Sequence, residues 1–297
     1  MNTNWKCNWN KVRSVQENGI CSSSILERDV RLNNTKCGIR LTERRSARPD
    51  QNAKPLPVSA ARTVFLEDVI LNPLMVAELG NFVMIVNKYP VEQWHSLICT
   101  RFYLPQNDAV ITDHVKEISL IFQVMGENGF TNQFNGAAAS LNHHHSQLFP
   151  SRFPIRDMPV IEIDDKVSFV KNWGGNLVIK GSLDERINIL DKLVKSYELH
   201  FLNFPKTVKA DGTESDKHLY TLIFWENRIV FIPRKRESPQ QFPETKFGGL
   251  ELSGIFIAQS KSTYDAVTET NFLEAVKNVT YDQDTLNTIY QKSLVGL

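Results

Sequence analysis

The residues with the clearest chemical potential in this sequence are three consecutive histidines followed, two positions later, by a glutamine. In an extended strand, alternate side chains point to opposite faces, so His143, His145 and Gln147 would share one face and His144 would point the other way. Two imidazoles and an amide on one face suit an anionic ligand, because one ring can act as nucleophile while the other groups donate hydrogen bonds.

Three interpretations of the histidine run compete at this point. The first is a polar edge strand without a chemical role. The second is a metal site, in which two of the histidines would bind one ion and a third ligand would come from elsewhere, since two ligands alone do not complete a zinc site. The candidates for that third ligand are His95, His114, His200 and His218. The third is nucleophilic catalysis at phosphorus.

Composition excludes several classes of protein. The 297 residues include 34 Lys and Arg against 33 Asp and Glu, so the formal charge of +1 gives no general attraction to nucleic acid or anionic membranes. No apolar run approaches the roughly 20 residues of a membrane helix, and the N-terminus has no apolar signal core. Four scattered cysteines without a Cys-x-x-Cys pair argue against disulfides and thiolate zinc. We therefore expect a soluble cytoplasmic protein, with its oligomeric state left open.

Changes in composition along the chain predict three regions. Residues 1–55 would form a polar and basic arm, loosely packed over its first part; residues 56–158 would form a catalytic half and residues 159–297 a second half packing on it. Six basic residues lie between Lys36 and Lys54, against two acidic ones. Such a run is either a solvated face or a phosphate clamp, in which arginine forks match phosphate oxygens.

Hydrophobic patterns predict strands and hairpins more than strand–helix–strand units. The apolar, β-branched runs 82–86 and 96–100 are typical of buried strands. Residues 219–225 and 228–233 flank Glu226-Asn227, which predicts a tight hairpin. An irregular alternation of strands and helices with many hairpins indicates an α+β fold with an antiparallel sheet.

Helices are predicted where apolar residues recur at helical spacing beside capping residues. Thr112 can cap a helix that Gly126 would end. The sequence Ser182-Leu183-Asp184-Glu185 is a capping box, and the apolar positions after it lie on one helical face. Two further helices are predicted around residues 272–279 and 285–294.

The His-x-His-x-Gln spacing resembles the motif of the nucleotidyltransferase branch of the histidine-triad superfamily. That branch contains galactose-1-phosphate uridylyltransferase, diadenosine tetraphosphate phosphorylase and GDP-hexose phosphorylase. Four other segments, in the same order along residues 36–260, are similar to segments of the branch: 39–49, 87–98, 231–237 and 250–254.

The resemblance implies a histidine-triad type of antiparallel sheet with flanking helices, in which two tandem halves are an option. It makes His145 the nucleophile that attacks the α-phosphorus, with a backbone carbonyl holding its second ring nitrogen. His143 would fix the strand and a phosphate oxygen, Gln147 would orient phosphate oxygens, and His144 would have no chemical role. The implied substrate-binding residues are Ser140, Asn135, Gly136, Asn87, His95, Arg48 and Arg234, with Arg40, Arg44 and Arg45 in the same pool of phosphate-binding cations.

The residue type at position 147 distinguishes a transferase or phosphorylase from a hydrolase. The histidine-triad hydrolases have a third histidine at this position, and an amide cannot shuttle a proton at neutral pH. The implied function is phosphorolysis of a nucleotide sugar through a nucleotidyl-histidine, with inorganic phosphate as second substrate and no cofactor or metal. Asn142 favours a GDP-hexose. A dinucleoside polyphosphate phosphorylase and a non-catalytic nucleotide-binding module remain as alternatives.

Overall fold

The computed structural model describes residues 25–32, 34–42, 75–87, 90–92, 94–107, 113–133, 136–202 and 204–295. Within these ranges the chain forms a ten-stranded sheet, a three-stranded sheet and six α-helices. Among these helices, none combines the length and the apolar character needed to span a lipid bilayer. The α+β class predicted from the sequence is confirmed.

The large sheet is antiparallel between every pair of neighbouring strands. In spatial order it contains β3 (Met75–Leu79), β4 (Phe82–Val86), β5 (Ser96–Thr100), β7 (His145–Phe149), β6 (Asn128–Asn132), β11 (Leu219–Trp225), β12 (Arg228–Arg234), β10 (Leu177–Lys180), β9 (Val167–Val170) and β8 (Val160–Glu162). The two apolar strands and the hairpin at Glu226-Asn227 lie where the sequence predicts them.

Strands from the two predicted halves meet in the middle of this sheet. Strands β3 to β7 come from the first half and β8 to β12 from the second, and β6 pairs with β11 with Asn132 opposite Thr221. The division of the chain into an arm and two halves stays a prediction, although the halves share one continuous sheet.

The three-stranded sheet replaces part of the expected loose arm. It contains β1 (Ile25–Leu32), β2 (Thr35–Thr42) and β13 (Ile255–Ala258), with β13 parallel to β2. Cys37 and Ile39 on β2 are fully buried. The strands β1 and β2 are therefore packed, and β13 comes from near the other end of the chain. Composition predicted a loosely packed segment over residues 1–35, which overlaps β1.

The helices cover the sheets on both sides. They are α1 (Asp113–Met125), α2 (Leu183–His200), α3 (Gly249–Leu252), α4 (Lys261–Ala266), α5 (Glu269–Val279) and α6 (Gln283–Val295). The capping box predicted at Ser182 starts α2, with both of its hydrogen bonds present. Gly126 follows α1 with a φ of 70°, as expected of a helix stop. Thr112 lies outside the described residues.

The two faces of the large sheet differ in what covers them. On one face, α1, α2 and α6 bury an apolar cluster that includes Ile98, Ile118 and Leu148. On the other, the small sheet and α5 pack over Phe130, Phe149 and Ile223, among other apolar side chains. Alternation along β7 therefore separates side chains under the helices from side chains under the small sheet.

Gly129 on β6 allows this packing beside the histidine strand. A Cβ at this position would lie 2.1 Å from Cζ of Phe122 and 2.4 Å from the carbonyl oxygen of Gln147. Because a strand carbonyl cannot move alone, we expect Gly129→Ala to lower the free energy of unfolding by about 1–3 kcal/mol or more, measured by denaturant titration.

Gly38→Ala on β2 is the matched control. A Cβ there would first meet Oε1 of Glu27 at 3.3 Å, the end of a flexible side chain. Its effect should stay within about 0.5 kcal/mol. Equal losses in the two variants would show that the close packing at Gly129 is not the cause.

Candidate active site

A cavity opens on the face of the large sheet that carries His145. It holds about 700 Å³, counting the part open to solvent. Its wall contains polar residues from both predicted halves together with apolar ones: Asn87, Val91, His95, Leu97, Phe130, Asn132, Ala138, Ser140, Leu141, His145, Gln147, Gly248, Leu250 and Glu251.

The backbone of His145 is fixed by a side chain that sequence reasoning missed. Gln106 accepts a hydrogen bond from the His145 amide (2.8 Å) and donates to the His145 carbonyl (3.0 Å). The amide group of Gln106 also reaches the carbonyl of Asn132 on β6. No local pattern around Gln106 marks this role, because its partners lie far away in sequence.

The imidazole of His145 is held in one tautomer. Its Nδ1 lies 2.7 Å from the carbonyl oxygen of His143. Because a carbonyl only accepts, the hydrogen lies on Nδ1, and in the neutral ring Nε2 carries the lone pair. The sequence predicted a backbone carbonyl for this task, and His143 supplies it. The lone pair of the neutral ring therefore lies on Nε2, and His145 is buried in the cavity wall.

Gln147 is oriented by a histidine from the loop before β5. Nδ1 of His95 accepts a hydrogen bond from the Val91 amide (3.3 Å), so a neutral ring carries its hydrogen on Nε2. That Nε2 lies 2.6 Å from Oε1 of Gln147 and donates to it. Oε1 of Gln147 therefore accepts from His95, and the amide nitrogen of Gln147 is the group that can donate to a ligand. The His95 ring stacks on Phe149 at 4.3 Å between centroids.

His143 does not occupy the position that strand alternation predicts. Regular strand structure begins only at His145, and the His143 side chain is absent from the cavity wall. Its Nε2 lies 3.1 Å from Oγ1 and 3.0 Å from the carbonyl oxygen of Thr100. Burial lowers the pKa of the ring. The ring of His143 thus bonds Thr100, and its carbonyl orients His145. That His143 binds a phosphate oxygen stays a prediction.

His144 points away from the cavity, as predicted. Its ring is fully buried on the helix-covered face, 5.9 Å from the His114 ring and 6.3 Å from the Phe82 ring. Neither ring nitrogen has a hydrogen-bond partner among the described residues. Burial, followed by the charges of neighbouring histidines, lowers its pKa to about 3.

Of the arginines predicted to bind phosphates, the structure describes only Arg40 and Arg234, and both lie outside the cavity wall. Arg48, Arg44 and Arg45 lie outside the described residues. Arg234 is fully buried and absent from the cavity wall, and its role as a direct phosphate ligand stays a prediction. Arg40 forms an ion pair with Glu92, which ties β2 to the loop that carries His95, and a second ion pair with Glu27 on β1.

The remaining predicted binding residues are partly brought together. Asn87, His95 and Ser140 line the cavity with His145 and Gln147. Gly136 is buried beside Leu219 with a φ of 138°, a conformation that favours glycine, and is not part of the wall. Asn135 lies outside the described residues.

Some residues of the wall were not assigned to the site from the sequence, although Leu250 and Glu251 lie in the segment 250–254 that resembles the branch. Gly248, Leu250 and Glu251 come from the start of α3, and Asn132 ends β6. A Cβ on Gly248 would lie 2.8 Å from Nδ2 of Asn132, so glycine keeps this part of the cavity open. Within the described residues, no group of three or more His, Cys, Asp or Glu side chains is arranged to hold a metal ion.

Comparison with known proteins identifies the type of fold. Residues 41–165 match the family model of the Ap4A phosphorylase N-terminal domain. The yeast Ap4A phosphorylase Apa2 in complex with AMP is 13% identical, covers 93% of this chain and 95% of its own, and has a TM-score of 0.66. The same enzyme in complex with Ap4A is 12% identical. Its alignment covers 94% of this chain and 98% of its own, with a TM-score of 0.67. A search of curated protein sequences finds no match.

At these identities the solved structures show a shared fold. Together with the family-model match, this fold confirms the resemblance to the nucleotidyltransferase and phosphorylase branch of the histidine-triad superfamily.

The buried His144 predicts a pH dependence of stability. An unfolded chain binds a proton on this ring below a pKa of about 6.5, whereas the folded chain does so only near 3. The unfolded state therefore binds more protons between these values, and stability is lost as pH falls through this window. His144→Phe should reduce the slope of the free energy of unfolding between pH 6 and 4 by about 1.4 kcal/mol per pH unit.

Denaturant titrations at several pH values measure this slope. His200→Phe is the control, because His200 is only slightly buried at the end of α2. It should change the slope less than His144→Phe does. An unchanged slope in His144→Phe would mean that the ring takes up its proton without unfolding.

Proposed function

We propose that this protein, which has the fold of the Ap4A phosphorylases, is a nucleotidyltransferase that cleaves a nucleotide sugar with inorganic phosphate. The observation that carries the proposal is the geometry of His145: its Nδ1 donates to the His143 carbonyl, and the ring lines the cavity beside Gln147. A neutral imidazole is a competent nucleophile near pH 7, because its ordinary pKa is about 6.5.

The reaction proceeds in two displacements. In the first, Nε2 of His145 attacks the α-phosphorus, the bond from this phosphorus to the bridging oxygen breaks, and sugar 1-phosphate leaves with that oxygen. The nucleoside monophosphate is then bound to Nε2. In the second, an oxygen of inorganic phosphate attacks the same phosphorus, the P–N bond breaks, and a nucleoside diphosphate is released. Covalent catalysis replaces one difficult step with two easier ones.

Gln147 supports phosphorolysis over hydrolysis. Its amide nitrogen can donate to a phosphate oxygen and stabilise the charge that develops there. It cannot take a proton from water at neutral pH, whereas inorganic phosphate arrives already ionised. An anionic acceptor therefore suits this site better than water.

A dinucleoside polyphosphate is the second candidate substrate. The match of residues 41–165 to the Ap4A phosphorylase model favours it, whereas Asn142 favours a GDP-hexose. The α-phosphorus chemistry is the same for both, and only the leaving group differs. A non-catalytic nucleotide-binding module is the rival from another class, and the cytoplasmic location expected from the sequence stays a prediction.

A substrate panel separates these functions. GDP-, UDP- and ADP-sugars and diadenosine tetraphosphate would be incubated with and without inorganic phosphate, and the nucleotide products quantified. We expect turnover of a GDP-sugar that depends on phosphate. Equal turnover without phosphate would identify a hydrolase and contradict the argument from Gln147. Binding measured by calorimetry without turnover of any member would identify a sensor.

A graded series of variants tests the residue roles. His145→Ala should lower turnover by up to about a million-fold, as for other nucleophiles that act within a unit. Gln147→Ala keeps the nucleophile and should cost about a hundred- to a thousand-fold, as for one lost transition-state donor. His144→Phe is the matched control and should cost little, since its ring faces the helices.

Labelling tests the covalent intermediate directly. In phosphate-free buffer, radiolabelled nucleotide should stay attached to the wild-type protein through an acid-labile, base-stable linkage, and should be absent from His145→Ala. Equal damage from His144→Phe and His145→Ala, or a label that survives in His145→Ala, would reassign the nucleophile.

A further inference from the structure

Arg234 is a buried cation that the proposed reaction does not use directly. Its side chain is fully buried at the end of β12, and no carboxylate lies within ion-pairing distance among the described residues. Its guanidinium donates to the carbonyl oxygens of Arg236 (3.0 Å) and Glu237 (3.4 Å) and to Oγ1 of Thr221 (3.3 Å). Burial lowers its pKa to about 10, so it stays charged at neutral pH.

The bond to Thr221 continues towards the cavity. Oγ1 of Thr221 accepts from Arg234 and donates its own hydrogen to Oδ1 of Asn132, 3.1 Å away. Thr221 and Asn132 lie opposite each other where β11 pairs with β6. Asn132 lines the cavity, and Thr221 is fully buried behind it. A cation, a hydroxyl and an amide thus form one chain that ends at the cavity wall.

The hydrogen bonds from Arg234 through Thr221 fix which end of the Asn132 amide faces a ligand. Because Oδ1 accepts from Thr221, the Nδ2 group faces the opposite way, towards the space beside Gly248. Hydrogen bonds in such a chain polarise one another, and a charged donor at its start strengthens each later donor. Asn132 is therefore set to donate to an anion in the cavity.

We propose that Arg234 is a positioning residue that acts through Thr221 to make Asn132 a donor to the phosphate group of the bound nucleotide. The inference rests on the proposed function, since it needs a nucleotide in the cavity. It also gives the buried charge a role at a distance, in place of the direct phosphate contact expected from the sequence. In the low-dielectric interior, a buried charge acts more strongly on a neighbouring anion than an exposed one does.

Thr221→Val tests the chain with little change of shape. Valine fills the same volume but can neither accept from Arg234 nor donate to Asn132. Binding of GMP, AMP and UMP, and of the matching nucleosides, would be measured by calorimetry. We expect the affinity for the preferred nucleotide to fall by about 10- to 100-fold, as for a lost bond to a charged group. The affinity for its nucleoside, which has no phosphate, should stay unchanged.

Two controls separate this role from a structural one. Thr221→Ser keeps the hydroxyl and should bind nucleotides like the wild type. Thr131→Val removes another buried hydroxyl, one that pairs with Ser146, and should leave the nucleotide-to-nucleoside affinity ratio unchanged. In an Asn132→Ala background, Thr221→Val should cause no further loss, because its effect passes through Asn132.

The outcomes distinguish this inference from the proposed function. A wild-type protein that binds none of the three nucleotides would contradict the proposed function itself. If the wild type and Thr221→Val bind nucleotides equally, the role of the Arg234–Thr221–Asn132 hydrogen bonds is overturned and the proposed function stands. The same holds if Thr221→Val loses nucleoside affinity to the same degree as nucleotide affinity. If Thr221→Val does not fold, Arg234→Lys keeps the charge without the planar fork and should show the same selective loss for nucleotides.

Discussion

The hydrogen bond from Nδ1 of His145 to the His143 carbonyl sets the chemistry of the cavity, and it depends on a break in the strand. If the chain were extended from His143 onward, that carbonyl would be directed to a neighbouring strand. Because β7 begins only at His145, the carbonyl turns towards the ring and holds its tautomer. The same break carries the His143 ring to Thr100 and away from the cavity. Gln106, which bonds both backbone groups of His145, stabilises this geometry.

From His145 onward, strand alternation separates reactive groups from core groups. Gln147 follows His145 on the cavity face, while Ser146 and Leu148 point under the helices. His144 also lies under the helices, where burial keeps its ring uncharged. The imidazole of His144 therefore adds no positive charge beside His145 at neutral pH.

The sequence correctly predicted those elements of the fold that depend on residues close to one another in the chain. The apolar strands β4 and β5, the Ser182 capping box and the hairpin at Glu226-Asn227 depend on neighbouring residues, and they lie where expected. His143 was placed wrongly because alternation was extended through a segment that bends. Asn132 and Gly248 were missed because pairing of β6 with β11 and the approach of α3 build their part of the wall. Such long-range contacts leave no local signal in one sequence.

The placement of Arg234 shows why residue type alone did not fix the electrostatics of the site. The sequence placed Arg234 in the pool of phosphate-binding cations, whereas the strand directs its side chain into the interior. A guanidinium in the open cavity would be hydrated whenever the ligand is absent, and binding would have to remove that water. In the core, carbonyl oxygens and Thr221 already solvate Arg234, so its orientation requires no reorganisation when an anion arrives. In the role proposed for Arg234, neutral donors such as Asn132 would meet the phosphate while the charge stays fixed behind them.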